Sequence, residues 1–213
     1  MDRIGIFPLG LVLFPESYIA LHIFEERYKE LINFSIDNNT PFGINLVLDL
    51  NIYYIGCTAK VATVLRTYPD GKMDITVTGL KRYNLIEINN DIKSYNLADI
   101  EYFDDNFEVL NKSVLKQCID YFNYIADIVK SVRIEKIDME KLNTNMPSFL
   151  IAQKSGMNLI QKQKLLEMRS ENQRLNIILK HLEQIIPMIE DSEQINNIIK
   201  NDGYYRPNSD FFK

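Results

Sequence analysis

The residues that could do chemistry in this chain are few and far apart in the sequence. It contains two histidines, His22 and His181, and two cysteines, Cys57 and Cys118. Nucleophilic catalysis needs a nucleophile, a base and a group that orients the base. The histidines lie in different halves of the chain, and no serine stands in a G-x-S-x-G sequence. The sequence therefore predicts a protein that is not an enzyme, with no catalytic residues.

Each of these residues is better explained by a structural role. The cysteines form neither a C-x-x-C pair nor a zinc pattern, so we expect free buried thiols in a reducing compartment. Cys57 and His22 both lie in strand-like apolar segments, which predicts core positions for both. His181 stands between charged neighbours and is predicted to be solvated. No metal site and no cofactor follow from these patterns.

The acidic groups also favour structural roles over acid–base catalysis. Glu25 and Glu26 are adjacent at the start of a predicted helix, so their side chains point about 100° apart and cannot easily share one substrate. Compensation of the helix dipole explains them better, and Glu25 is expected to pair with Arg82 or Arg27. Three acidic residues further along the chain lack the spacing of a calcium-binding loop, and they are predicted to form a solvated junction between the two halves: Asp104, Asp105 and Glu108.

Composition limits the class of protein further. The chain has 213 residues, of which 46% are hydrophobic, and a net charge of −5. Residues 1–105 hold 9 of the 24 basic residues but 15 of the 29 acidic ones, which argues against a nucleic-acid partner. No apolar run has the length of about 18 residues that a membrane span needs, and no signal peptide is recognisable. We expect a cytoplasmic protein that does not bind a membrane.

The elements that position these residues change character near the middle of the chain. Residues 1–105 are predicted as a β-rich subdomain with one helix from about Glu25 to Ile36. The turn sequence Tyr68-Pro69-Asp70-Gly71 predicts a hairpin, and Gly79 is expected to end its second strand. Residues 106–213 are predicted as a helical bundle subdomain with a long last helix and an aromatic tail, Tyr204 to Phe212. Pro187 is expected to kink or end that helix.

A series of short motifs runs through both halves in a recognisable order. In chain order they are Phe7-Pro8-Leu9, Leu13-Phe14-Pro15, Leu21-His22-Ile23-Phe24-Glu25, Arg27-Tyr28, Leu31, Phe42-Gly43, Gly56-Cys57, Ala59, Pro69-Asp70-Gly71, Gly79-Leu80, Arg82-Tyr83, Leu165-Leu166-Glu167-Met168, Asn172 and Arg174-Leu175. Together they resemble the N-terminal, substrate-binding domain of the Lon protease family over roughly residues 4–190, in particular the small stand-alone bacterial form.

The resemblance implies an α+β fold: a partly open, PUA-like β-barrel with one inserted helix, followed by a C-terminal α-helical bundle. It also implies a function, the binding of unfolded or hydrophobic polypeptide segments. The ATPase and peptidase of a full Lon protease are not predicted. The phosphate-loop pattern G-x-x-x-x-G-K-[ST] is not present. If Gly71-Lys72 is aligned with its G-K step, the first glycine of the pattern falls on Arg66. One alternative is an adaptor or scaffold for one folded partner.

Six residues are predicted to line a peptide-binding groove: Phe14, Pro15, Tyr18, Arg27, Arg82 and Tyr83. The Phe-Pro steps, at Phe7-Pro8 and Phe14-Pro15, would otherwise serve only to end or bend strands. A further alternative, nucleic-acid binding through the PUA-like barrel, would have to use Lys60, Lys81 and Arg82.

Overall fold

The computed structural model describes residues 2–89, 93–129 and 133–201, with side chains to residue 195. The predicted aromatic tail lies outside these residues. The chain divides into two compact units. The first consists of Met1–Val109 and Ser148–Glu171, and the second of Leu110–Pro147 and Asn172–Lys213. No helix in the described part of the chain is both long and apolar enough to cross a membrane.

The first unit is built on a six-stranded mixed sheet. Its strands are β1 (Asp2–Leu9), β2 (Tyr18–Ile23), β3 (Phe42–Leu48), β4 (Asn51–Thr67), β5 (Met73–Asn89) and β6 (Leu97–Tyr102). They are hydrogen-bonded in the order β2-β5-β4-β3-β1-β6, and β6 also pairs with β5. Only β1 and β3 run parallel. The sheet curls back on β5 but leaves β2 at an edge, so the predicted partly open barrel within an α+β fold is confirmed.

The long hairpin of β4 and β5 gives the sheet its open end. Its turn closes as predicted: the Tyr68 amide donates to the Lys72 carbonyl over 2.8 Å, and Gly71 has the positive φ, 79°, that glycine readily adopts. The ladder between β3 and β4 stops at Ala59, whereas β4 continues to Thr67. Beyond Ala59 the sheet therefore consists of three strands in the order β2–β5–β4.

The prediction that Gly79 ends a strand is wrong, because β5 runs through it to Asn89. Gly79 is a point of close backbone approach. A Cβ at this position would lie 2.1 Å from the Phe14 carbonyl oxygen. The Gly79 amide donates to the Ser17 carbonyl and its own carbonyl accepts from the Glu16 amide, both over 2.9 Å. Gly79 thus holds the turn that leads into β2.

Helix α1 (Glu26–Asn38) is the predicted inserted helix, and its apolar face closes the core of the first unit. Leu31 and Ile32 pack there with residues of five strands, β1 to β5. Lys29 joins the helix to the hairpin turn, since its ammonium donates to the Asp70 carbonyl and to Glu26, each over 2.8 Å.

The sequence did not predict β1, which pairs through Pro8 with β3.

Two short helices belong to the same unit as the sheet. They are α3 (Pro147–Lys154) and α4 (Leu159–Glu167), with Gly156 between them. Asn158 and Gln161 have the sequence spacing of a capping box, and the structure forms it at the start of α4. Gln163 fixes α4 on the sheet, because its buried amide donates to the Ile55 carbonyl of β4 over 3.0 Å. The sequence prediction grouped these helices with the bundle; its division into 1–105 and 106–213 as domains stays a prediction.

The second unit contains helix α2 (Lys112–Ile128), a short 3-10 turn and most of helix α5 (Glu171–Asn201). Its core is a stripe of α2 and a stripe of α5. Six of its residues recur at the three- and four-residue spacing that predicts such stripes: Cys118, Phe122, Ile125, Leu175, Ile178 and Leu182. Leu115 and Ile119, which the predicted stripe did not include, are also buried. Helix α5 continues through Pro187, so the proline does not end it. His181 is buried in this unit, and the prediction of a solvated side chain is wrong.

Candidate functional site

The structure separates the six predicted groove residues into a buried set and an exposed pair. Phe14, Pro15, Arg82 and Tyr83 are buried. Their side chains pack within the first unit, so a ligand cannot touch them while this packing is intact. Tyr18 and Arg27 are exposed. The structure therefore does not bring the six together on one surface.

The buried residues hold the first unit together. Phe14 stacks on Phe149 of α3 with 4.9 Å between the ring centroids. The Tyr83 hydroxyl donates to the Asn45 side chain on β3, and burial raises the pKa of this phenol well above its usual value. Cys57, a core residue as predicted, has a thiol pKa raised by burial to about 12, which leaves it a poor nucleophile.

Arg82 links the sheet to the last turn of α4 and to the segment that follows it. Its side chain is 3% exposed and forms an ion pair with Asp105. The same guanidinium donates to the carbonyls of Leu166 and Met168, over 3.1 and 2.5 Å. Of the two partners predicted for Glu25, Arg82 and Arg27, the structure pairs it with Arg27, over 2.8 Å. Asp105 is correspondingly part of a buried ion pair, and the prediction of a solvated junction is wrong there.

Of the exposed pair, Arg27 belongs to α1, whereas Tyr18 lies at the open end of the sheet, where three cross-strand rows form one face. Tyr18, Thr78 and Lys60 are directly opposite one another at one end of this face. Ala20, Thr76 and Thr63 form the middle row, and His22, Asp74 and Arg66 the last. We call these nine residues the outer face. Its middle is made of small side chains and its ends carry aromatic and charged ones.

A polar network fixes the last row of the outer face. His22 Nδ1 lies 2.6 Å from Asp74 Oδ1, and the Tyr68 hydroxyl donates to Asp74 Oδ2 over 2.7 Å. These two contacts hold the pKa of Asp74 below its usual value, with the His22 contact first. The same bond to Asp74 raises the pKa of Tyr68. Arg66 lies over the Tyr68 ring, 4.5 Å from its centroid.

Apolar surface continues beyond the network at the end of β2. Phe24 is 56% exposed and stacks on the His22 ring with 5.9 Å between centroids. Arg27 covers the Tyr28 ring at 4.5 Å. The outer face is thus flanked by two large exposed rings, those of Tyr18 and Phe24. Exposed apolar side chains next to ordered polar groups are typical of a binding surface.

The prediction of a core histidine at position 22 is wrong. Its side chain is exposed because β2 alternates: Tyr18, Ala20 and His22 lie on one face, and the aliphatic residues between them on the other. That alternation is visible in the sequence and could have revealed the outer face. The pairing with Asp74 could not have been read in this way, since it depends on the register between strands 52 positions apart.

The contacts of Asp74 predict a pH-dependent stability. A carboxylate whose folded pKa is lowered stabilises the fold above its unfolded pKa of about 3.9, and this contribution is lost as the pH falls through the folded pKa. We therefore expect Asp74→Asn to be less stable than the unmodified chain at neutral pH, with the difference shrinking in acid. Urea unfolding from pH 7 to about pH 3 measures it.

Asp37→Asn is the control, since Asp37 is an exposed aspartate of α1 outside this network. It should show no such pH-dependent difference. A constant gap between Asp74→Asn and the unmodified chain at every pH would contradict the electrostatic explanation.

The polar groups of the outer face do not have the arrangement of a nucleophile, base and orienting group. The His22–Asp74 pair contacts a tyrosine hydroxyl in place of a serine or cysteine nucleophile, and that hydroxyl already donates to Asp74. In the described part of the chain, no group of three or more histidine, cysteine or acidic side chains is arranged to hold a metal ion. Lys60 and Lys81 are exposed, but the burial of Arg82 removes it from any basic groove.

The sequence belongs to a family of protease-associated binding domains. The family model of the ATP-dependent protease La (LON) substrate-binding domain matches residues 3–184. The chain is therefore a member of the Lon substrate-binding domain family. It is 28% identical to Lon protease 1 of Hydrogenovibrio crunogenus over 191 residues, which is 87% of this chain and 23% of that protein. For the Lon protease of Dictyoglomus thermophilum the figures are 25%, 90% and 25%.

The chain thus spans about a quarter of the length of the curated relatives it matches. Solved structures agree on the fold. The Lon N-terminal domain protein from Xanthomonas campestris superposes with a TM-score of 0.62 at 19% identity, covering 84% of this chain and 98% of that one. The N-terminal domain of Mycobacterium avium complex Lon protease gives 0.61 at 13% identity, covering 85% and 98%.

Proposed function

We propose that this chain is a non-catalytic module that binds unfolded or hydrophobic polypeptide segments at the open end of its sheet. The observation that carries the proposal is the pair of exposed rings flanking the outer face: Tyr18 is 63% exposed and Phe24 56% exposed. Membership of the Lon substrate-binding domain family supports the same class of ligand. Cys57 and Cys118 are buried and form no disulfide, which fits a cytoplasmic protein.

Hydrophobic burial would supply most of the binding free energy. Covering one large side chain contributes roughly 1.5–3 kcal/mol, and two such rings at the ends of a shallow face of small residues can take apolar side chains of many sequences. The ordered network at His22 and Asp74 presents its polar groups already paired, so little free energy is lost in arranging them on binding. Such a surface suits a module that binds many segments weakly.

The first test uses fluorescently labelled, unfolded casein and measures its binding by anisotropy. We expect Tyr18→Ala to weaken binding by roughly tenfold, because alanine removes an exposed aromatic anchor. Tyr54→Ala is the matched control. Tyr54 is also a tyrosine, is also 63% exposed, and lies on β4 outside the outer face. Its substitution should leave the affinity unchanged.

Two results would overturn the proposed function. One is the absence of casein binding at high micromolar protein. The other is an equal loss in both variants, since binding would then not depend on the outer face. The alternative, an adaptor for one folded partner, predicts no casein binding and a single stoichiometric partner recovered from cell extract. Binding of a single-stranded oligonucleotide with steep salt dependence would support the nucleic-acid alternative.

A further inference from the structure

The three-stranded end of the sheet has two edges, and both are open in the described residues. β2 pairs only with β5. On the opposite side, the part of β4 beyond Ala59 also pairs only with β5. An open edge presents unpaired backbone N–H and C=O groups, which can pair with another extended chain. The two edges differ in how well they are protected against this.

The β4 edge has structural features that prevent such pairing. β4 has an extra residue opposite β5 at two places, between Val61 and Thr63 and again between Val64 and Arg66. These bulges interrupt the regular spacing of the outward backbone groups and twist the strand. Lys60 and Arg66 add charge to the same segment. An added strand could not stay in register along this edge.

The β2 edge has none of these features. All six residues from Tyr18 to Ile23 pair with β5 in unbroken register, without a bulge. Their sequence, YIALHI, contains no lysine, arginine, carboxylate or proline. The strand is therefore regular, apolar and long enough to pair with a second strand. Protected edge strands differ, because they are short, charged, bulged or interrupted by proline.

One contact shows which backbone groups of β2 point outward. The Gln153 side chain of α3 donates to the Tyr18 carbonyl over 3.0 Å, so this carbonyl faces away from β5. In an antiparallel ladder the backbone groups of alternate residues face opposite sides. Ala20 and His22 must therefore also direct their N–H and C=O groups to the open edge. In the described residues no other strand pairs with them.

The side chains of β2 define what the added strand must carry. Ile19 and Leu21 lie on the inner side and are only partly buried against the core. A strand added at the edge would place alternate side chains beside them, where apolar residues cover this remaining surface. Its other side chains would extend the outer face beside Ala20 and His22.

We propose that the β2 edge binds an extended polypeptide segment by strand addition. The segment is uncharged over about four to six residues and apolar at every second position, and it hydrogen-bonds to the backbone of Ala20 and His22. This inference rests on the proposed function and states how the polypeptide is held. It predicts a weak sequence preference, since the backbone contacts do not depend on the side chains of the ligand.

The test uses a fluorescent peptide of alternating valine and threonine with a soluble tag at each end. Two versions are N-methylated at alternate amides, one at the valines and the other at the threonines. Strand addition predicts that one version loses affinity by roughly tenfold or more, since hydrogen bonds of about 1 kcal/mol each are removed. The other version keeps its affinity, because its methyl groups point away from the edge.

Ala20→Pro provides a second measurement on the protein itself. Proline removes the outward N–H of Ala20 while leaving the ladder to β5 intact, a position that edge strands tolerate. Peptide affinity should fall roughly tenfold, with thermal unfolding recorded to show that the variant folds. The outcomes separate the two proposals. If casein and the unmethylated peptide bind, but the two methylated versions lose the same affinity, strand addition is wrong and the proposed function stands.

If neither casein nor the peptide binds, strand addition and the proposed function are both wrong. If the chain self-associates through β2 and the peptide does not compete with this association, strand addition is wrong.

Discussion

Arg82→Met is expected to lower the free energy of unfolding by about 3–5 kcal/mol, the usual cost of breaking a buried ion pair from one side. Methionine fills a similar volume but donates no hydrogen bond. The Asp105 carboxylate would then lose its ion-pair partner, and the carbonyls of Leu166 and Met168 would lose a donor. Because the guanidinium also lies over the Phe103 ring, 4.7 Å from its centroid, packing is lost as well.

Chemical denaturation followed by circular dichroism measures this change, and Arg3→Met is its matched control. Arg3 also pairs with an aspartate, Asp99, through two hydrogen bonds of 2.7 and 2.8 Å. Its side chain is exposed, however, so solvent screens the pair. The control should show a much smaller shift of the unfolding midpoint. Equal losses in the two variants would show that burial does not determine the contribution of Arg82.

The sequence predicted the elements whose signals are local. The hairpin followed from the Tyr68–Gly71 turn and from period-two strands around it. The stripes of α2 and α5 followed from helical spacing, and the cap of α4 from Asn158 and Gln161. Each of these signals lies within a short stretch of chain, so the residues themselves determine the result. The open barrel came from the family resemblance instead.

The candidate site was predicted poorly because its residues are joined through long-range register. Arg82 and Tyr83 stood in a recognisable motif, but nothing local shows that Arg82 bonds to α4 and the following segment or that Tyr83 packs inside the sheet. Tyr18, one of the predicted groove residues, is exposed, and so is His22 on the same strand, which was predicted to be buried. His22 lies opposite Asp74 because β2 pairs with β5. This part of the sheet is only three strands wide because the ladder between β3 and β4 stops at Ala59.

The two sets of predicted site residues are connected through one turn. Phe14 and Pro15 are buried, and three residues after Pro15 the chain reaches the exposed Tyr18 on the outer face. The Ser17 amide donates to the Phe14 carbonyl over 3.2 Å, which closes a turn with Pro15 at its second position and Glu16 at a φ of 61°. The buried aromatic packing therefore fixes where β2 begins, and with it the position of the outer face.

Gly79→Ala is expected to disrupt this connection, with a loss of about 3 kcal/mol in unfolding free energy, at the upper end of the cost of an added methyl group in a packed site. The new Cβ would lie 2.1 Å from the Phe14 carbonyl oxygen, which belongs to the backbone and cannot rotate away. The turn must therefore move, which weakens the two hydrogen bonds between Gly79 and residues 16 and 17. Because β2 starts at the next residue, casein binding should weaken too.

Gly10→Ala separates this steric effect from the general effect of replacing glycine, because nothing lies within 4 Å of a Cβ at Gly10. It should leave both stability and binding close to those of the unmodified chain. Denaturant unfolding and casein anisotropy on the same preparations distinguish the outcomes. A Gly79→Ala variant that loses stability but binds casein normally would show that the turn supports the core without positioning the surface. Loss of neither property would mean that the approach of the Phe14 carbonyl to β5 is not required by the fold.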